Sequence, residues 1–203
     1  MTKTHKTFDI RKPITVKLLS DLIRVLSNIC SSLYEAKLFS AIFTLAFFAF
    51  VTIGETVESG LSYHVIQRDE IVMNQNNETI TVTISSSKTD QYGRKTILII
   101  GNSKNHVSVY EKMKLYLTVR PTIHGPLFCH FNHKKVTRYQ VCSVLKSAIK
   151  FLGLNETEYN THSLRIGAAT NAAGIGISND EIMIMGRWKS DTYKTYIRID
   201  TSL

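Results

Sequence analysis

The sequence predicts an α+β fold, mostly helical, built around a small antiparallel sheet of about three strands. Apolar residues recur at helical spacing over residues 16–29, and a denser apolar stretch follows from Leu38 to Gly54. Between residues 61 and 100 the period shortens: Ile80, Val82 and Ile84 alternate with threonines, and Ile97 to Ile100 form a short apolar run, as strands do. From Ser108 onward, helix-start residues again precede each new helical segment.

Residues 1–13 are basic and polar, end at Lys12-Pro13, and read as an arm or linker before one domain over 14–203. Thr15 is placed to cap a helix over about 16–29, on which Val16, Leu18, Leu19, Leu22, Ile23, Val25 and Leu26 form the apolar face. Ser31 or Ser32 caps the next helix, expected to run to about Thr52. Its uncharged run of about 17 residues lies at the lower limit for crossing a bilayer and is interrupted by Ser and Thr, so a buried central helix is expected, not a membrane span. Asn74 to Asn77 and Asp90 to Gly93 supply turn chemistry between strands. A helix from Ser108 to about Arg120 ends at Pro121, and another starts at Thr137, with Gln140 completing a capping box, and stops before Gly153. A third helix carries His162 and Arg165 and ends near Gly174 or Gly176. Ser178 with Glu181 opens a fourth, and Ser190 precedes a last short helix holding Tyr193 and Tyr196.

Charge narrows the partner. Against 16 Asp and Glu stand 25 Lys and Arg, a net charge of +9, which favours a polyanion: nucleic acid or an acidic membrane surface. Cys30, Cys129 and Cys142 lie far apart with no metal-ligand spacing, so free thiols in a reducing, intracellular setting are expected, and no metal site. The glycosylation-like triplets at Asn77 and Asn155 are read as accidental, since no secretory signal is evident.

The chemistry concentrates near the C-terminus. In Thr161-His162-Ser163-Leu164-Arg165-Ile166-Gly167-Ala168-Ala169-Thr170, His162 and Arg165 are three apart and share a helix face, and the small residues after them allow close helix packing. Arg165 has the planar fork that binds two phosphate oxygens, and His162 is able to hydrogen-bond or move a proton. Gly186-Arg187-Trp188 and Tyr196-Ile197-Arg198 follow. Tyr196 is the candidate nucleophile, with Arg187, Lys189, Lys194 and Arg198 close in sequence to favour its ionised form. An isolated tyrosine or an isolated His-x-x-Arg pair is ordinarily a packing or surface feature; here the ordered set outweighs that reading.

This order of residues closely resembles the C-terminal catalytic half of the tyrosine recombinases, the integrases that cut and rejoin DNA through a phosphotyrosine. The wording is most similar to recombinases of eukaryotic mobile elements of the Crypton and DIRS type. The resemblance runs from about Asp9 to Arg198. It implies double-stranded DNA as partner, possible homo-tetramers on DNA, no cofactor or metal, no small-molecule substrate, and a nuclear location in a eukaryote. It also implies that the family's N-terminal core-binding domain is absent from this chain. Lys88, in Ser85-Ser86-Ser87-Lys88-Thr89-Asp90, matches the hairpin lysine that protonates the leaving 5′ oxygen. Trp188 matches the position of the family's second histidine, with Arg187 close behind for that role; an indole N–H donates one hydrogen bond. Arg187, Lys189, Arg198 and Arg138 are expected to contact DNA.

One position departs from the pattern. The stretch Phe47-Phe48-Ala49-Phe50-Val51-Thr52-Ile53-Gly54-Glu55 fits the family except that Thr52 stands where its first catalytic arginine belongs. Threonine is neutral and too short for a bidentate phosphate clamp. Loss of one such donor is expected to forfeit about 2–4 kcal/mol of transition-state stabilisation, on the order of 10²–10³ in rate. Glu55 is then expected to lack the arginine it would support, Thr52→Arg to raise activity, and Arg68 has no geometric reason to substitute. Two readings stay open: an impaired DNA-cleaving recombinase domain, and a catalytically degenerate DNA-binding module of the same descent. A basic structural or membrane-surface protein is the remote third.

Overall fold

The computed structural model describes residues 10–58, 65–85, 95–101 and 107–198. Seven α-helices and three strands follow in the order α1 (Val16–Ile29), α2 (Leu33–Phe48), α3 (Ile53–Thr56), β1 (Ile71–Asn74), β2 (Thr79–Ile84), β3 (Thr96–Ile100), α4 (Val109–Leu117), α5 (Arg138–Phe151), α6 (His162–Gly174) and α7 (Asn179–Met185). Short 3-10 turns cover Arg68–Glu70, Glu156–Glu158 and Asp191–Tyr196.

The helix starts are chemical. Oγ of Thr15 accepts from the Leu18 N–H, that of Ser32 from Glu35, that of Ser108 from Glu111, and that of Ser178 from Glu181. Thr137 and Gln140 close a reciprocal box at 3.2 and 2.9 Å. Each satisfies amide donors that the first helical turn leaves without intrahelical acceptors.

Helix α2 is apolar on every side and is buried from Leu38 through Phe47, because α1, α4 and α6 pack around it and α3 meets its end. Phe39, Phe43 and Phe47 are almost fully enclosed, each stabilising the fold by roughly 1.5–3 kcal/mol relative to exposure. Two polar residues lie in its middle: Thr44 returns its hydroxyl to the Ser40 and Ala41 carbonyls, while the Ser40 hydroxyl is buried with no partner among the described residues. None of the described helices is long and apolar enough to cross a membrane.

The sheet is antiparallel in the order β1-β2-β3, with Ile80 opposite both Met73 and Ile100. Ile80, Val82 and Ile84 point into the core while the intervening threonines are half-buried, the period-two pattern the sequence displays. In β3 the alternation is weaker: Ile97 and Ile99 stand exposed and Ile100 is buried. The expected turn at 90–93, and Lys88, lie outside the described residues.

Two helices end earlier than expected. α2 stops at Phe48, not near Thr52, because Phe50 takes the left-handed conformation at φ 52°. Thr52 instead opens the separate one-turn helix α3. α4 stops at Leu117, and the chain then folds around buried Arg120, whose guanidinium donates to the carbonyls of Pro121, Ile123, Pro126 and Leu127. Arg120 thus organises a loop by satisfying four acceptors.

Helix α6 lies almost wholly inside the protein, with Ser163 to Ala169 buried. It is held against the segment before α1: the Ile14 N–H donates to Ser163 O at 3.0 Å and that of Lys12 to Glu158 O at 2.8 Å. A Cβ on Gly167 would sit 1.9 Å from the Ile14 carbonyl oxygen, a backbone atom with no freedom to swing aside. Gly167→Ala is therefore expected to destabilise the fold by about 3 kcal/mol, the upper range for overpacking. A urea unfolding series would register this as a lower midpoint at constant slope; an unaltered midpoint means that α6 is not clamped there.

Candidate active site

Arg165 is 8% exposed, an unusual environment for a guanidinium, and the local sequence explains how it is reached. Small residues follow it along α6, so the helix sinks into the core and carries the arginine with it. Its two terminal nitrogens donate to the carbonyls of Phe50 and Gly186. Both acceptors border backbone in rare conformations: Phe50 itself at φ 52°, and Arg187, next to Gly186, at φ 56°. Left-handed backbone at non-glycine residues disfavours folding by roughly 1–2 kcal/mol each and persists where surrounding contacts enforce it. The same guanidinium touches both places, and at Arg187 the end of α7 adds its own closure, with the Arg187 N–H donating to Ile184 O and the Trp188 N–H to Met183 O, each at 3.0 Å.

Trp188 forms the floor of this site. The Arg165 guanidinium carbon lies 4.4 Å from the Trp188 ring centroid and 5.9 Å from that of Tyr196. The two rings are themselves 5.1 Å apart, and Phe50 meets the indole edge-on at 6.2 Å. The indole folds back over Gly186, where a Cβ would meet its ring carbons at 1.7 Å, so glycine is required before Arg187. Tyr196 ends the 3-10 turn and is half-buried. Thr170, at the far end of the histidine–arginine segment, holds it: its hydroxyl donates to Tyr196 O at 3.2 Å and accepts from Arg198 N at 3.0 Å. One helix therefore positions both the guanidinium and the tyrosine backbone.

His162 is the first residue of α6, one turn before Arg165 and half-buried. Its amide donates to Asn160 Oδ1 at 2.8 Å, which fixes the helix start. The structure thus gathers Arg165, Trp188 and Tyr196 around one point, with His162 on the adjoining turn, while Lys88 lies outside the described residues. Of the cations expected to contact DNA, Lys189 and Arg138 are exposed and Arg198 is half-buried.

Arg187 behaves differently from that expectation. Its side chain is 12% exposed and turns inward to Glu55, itself 16% exposed, with Nη2 2.9 and 3.1 Å from the two carboxylate oxygens. Glu55 is therefore not left without an arginine. The same carboxylate accepts from the Thr52 N–H at 2.6 Å and the Thr52 hydroxyl at 2.9 Å, so Thr52 serves as a helix-start residue, its side chain spent on that cap. Arg68 is elsewhere, directed at Ile71 O. No local sequence signal announces the Glu55–Arg187 pair, which spans 132 residues.

Burial is the main cause that brings the Arg165 pKa down to about 10; the neighbouring Arg187 charge adds to it, and Glu55 and Tyr196 oppose it. The group remains cationic at neutral pH. Among the described residues, two guanidiniums and one carboxylate leave this cluster with one positive charge in excess, an arrangement suited to an anion. Glu55→Gln removes the acidic member and leaves both arginines facing each other. It is expected to lower stability by about 3 kcal/mol, as removal of one partner from a buried pair does. Chemical denaturation checks this, with Glu55→Asp expected to lose less; equal stability of Glu55→Gln and the parent excludes a closed ion pair.

No family model and no curated protein matches the chain. Solved structures do. The XerH site-specific recombinase bound to difH substrate superposes with a TM-score of 0.70 at 14% identity, covering 99% of this chain and 53% of that one. A lambda integrase dimer bound to a COC' core site gives 0.68 at 16%, covering 97% and 51%. The Tn1549 transposon integrase in complex with transposon right end DNA gives 0.60 at 13%, covering 93% and 62%. The chain thus spans about half the length of XerH and of lambda integrase. At these identities the likeness is one of fold. Mostly helical, with one small three-stranded antiparallel sheet, the chain has the fold of the tyrosine recombinase catalytic domain.

Proposed function

We propose that this chain is a DNA-binding, integrase-like domain of mobile-element origin that cleaves and rejoins DNA strands through a 3′-phosphotyrosine. The observation that carries the reading is the meeting of Tyr196, Trp188 and the buried Arg165 on a recombinase fold. The DNA-bound recombinases and integrases of similar fold support DNA as the partner. In the proposed step, Tyr196 Oη forms a bond to phosphorus as the bond to the 5′ oxygen breaks. His162 takes or hydrogen-bonds the phenolic proton, Lys88 gives a proton to the departing oxygen, and Arg165 and Trp188 donate to the non-bridging oxygens. Lys189, Arg198 and Arg138 bind flanking phosphates, whose neutralisation makes affinity fall with salt. The reaction is isoenergetic, because one phosphodiester replaces another, and it uses no cofactor. Strand exchange in a homo-tetramer and a nuclear location complete the proposal.

Thr52 favours a second reading. With its hydroxyl engaged by Glu55, it brings no charge to the site, and the domain then binds DNA without cutting it. Salt dependence is common to both readings, so a covalent assay separates them. On a nicked suicide duplex carrying a mobile-element terminus, a slow protein–DNA adduct is expected that survives chelation of metals and vanishes in Tyr196→Phe. Absence of any adduct, with duplex binding intact, selects the non-cleaving module. The role of Lys88 has its own check. Lys88→Ala is expected to impair cleavage strongly on the ordinary substrate and much less when the leaving group is a 5′ thiolate, which needs no acid. Equal impairment on both substrates removes Lys88 from that role.

A further inference from the structure

Glu55 and Arg187 form the buried ion pair nearest to Arg165, and three observations give the pair a task beyond holding the fold together. First, Arg187 is tethered through one end of its fork: Nη2 engages the carboxylate, whereas Nη1 is sealed from solvent and has no hydrogen-bond partner among the described residues. A buried, unpaired donor on a charged group is a costly arrangement that native proteins rarely keep without use. Secondly, the cation beside it is Arg165, whose Nη2 donates to the carbonyl of Gly186, the residue immediately before Arg187. The two guanidiniums therefore belong to one cluster, in which each charge opposes the other and Glu55 offsets them. Thirdly, Arg187 is kept in left-handed backbone, φ 56°, and this turn sends its side chain inward and the Trp188 indole under Arg165. Position 52, the N-cap of the short helix that holds Glu55, carries no charge.

We infer that Arg187 is the site's second phosphate-neutralising guanidinium, delivered from the loop after α7 and aimed by Glu55, in the place left uncharged by Thr52. The inference rests on the functional reading above for the identity of the phosphate as a DNA phosphodiester. For the pocket itself it requires only a tetrahedral oxyanion. Arg187 thereby moves from a surface DNA contact to the interior of the site, and Glu55 becomes a positioning residue. Its carboxylate orients the fork, while Nη1, enclosed in this structure, keeps an unused donor for an oxyanion that opens the site to reach it.

Trp188 is the chain's sole tryptophan, so its emission reports on this pocket directly. The full chain is titrated with inorganic phosphate at constant ionic strength set by chloride, and binding is read both by Trp188 fluorescence and by the rise in melting temperature. Saturable phosphate binding is expected in the parent. It should weaken at least tenfold in the double variant Glu55→Gln/Arg187→Gln, which removes both members of the pair and so creates no newly unmatched charge. Arg187→Lys should fall between. A parent that ignores phosphate by both readouts, or a double variant that binds as tightly, overturns the inference.

The suicide-duplex assay adds a second arm. Thr52→Arg should restore adduct formation in Arg187→Gln by at least tenfold, while changing the parent less than threefold, because Glu55 there is already engaged. Substituting a neutral methylphosphonate at the scissile position should rescue Arg187→Gln, since the charge it would have met is gone. If phosphate binding depends on the pair but no duplex yields an adduct, the recombinase reading falls and the oxyanion site stands. If adducts form equally fast with and without Arg187, the inference falls and the recombinase reading stands.

Discussion

Burying the Arg165 guanidinium is the constraint around which the rest of the site is arranged. A cation taken out of water must find acceptors, and this one finds them in two main-chain carbonyls from opposite ends of the chain, Phe50 and Gly186. Those two bonds bring together the end of α2, the middle of α6 and the loop after α7. Both acceptors lie where a helix ends in left-handed backbone, Phe50 after α2 and Arg187 after α7. The aromatic ring of Trp188 closes the remaining side, so the charge is screened from water without being neutralised. The architecture is thus organised about a positive charge that the protein itself does not fully compensate.

Much of the scaffold was legible in the residues because it depends on neighbours a few positions apart. Thr15, Ser32, Ser108, Thr137 with Gln140, and Ser178 with Glu181 all start helices as their chemistry demands. The alternation of Ile80, Val82 and Ile84 reads directly as the inward face of β2. Close packing by Gly167, inferred from its place among small residues, corresponds to the approach of the Ile14 carbonyl. What escaped the sequence was long-range. No local preference would end a run of Phe and Ala at residue 48; the carbonyl at the break is claimed by an arginine 115 residues away. The expected orphan, Glu55, has its partner at a separation no periodicity can reveal.

The site residues Arg165 and Arg187 and the buried structural Arg120 make an instructive contrast. Arg120 donates to four carbonyls and is thereby fully occupied with its own loop. Arg165 donates to two carbonyls, whereas Arg187 keeps one nitrogen, Nη1, without a partner among the described residues, and its charge opposes that of Arg165. Burial alone therefore does not mark a functional guanidinium in this chain. The discriminating property is donor capacity left over once the fold has been satisfied, and it coincides with the aromatic cluster that includes Tyr196.

The segment ahead of α1 has a mechanical consequence. Ile14 is hydrogen-bonded to Ser163, two residues before Arg165 on α6, and its carbonyl rests against Gly167, two residues after. The short stretch 10–14 therefore grips the rigid rod that aims the guanidinium on both sides of it, leaving no slack between them. A displacement of Ile14 is thus coupled, through these two contacts, to the turn of α6 that carries Arg165.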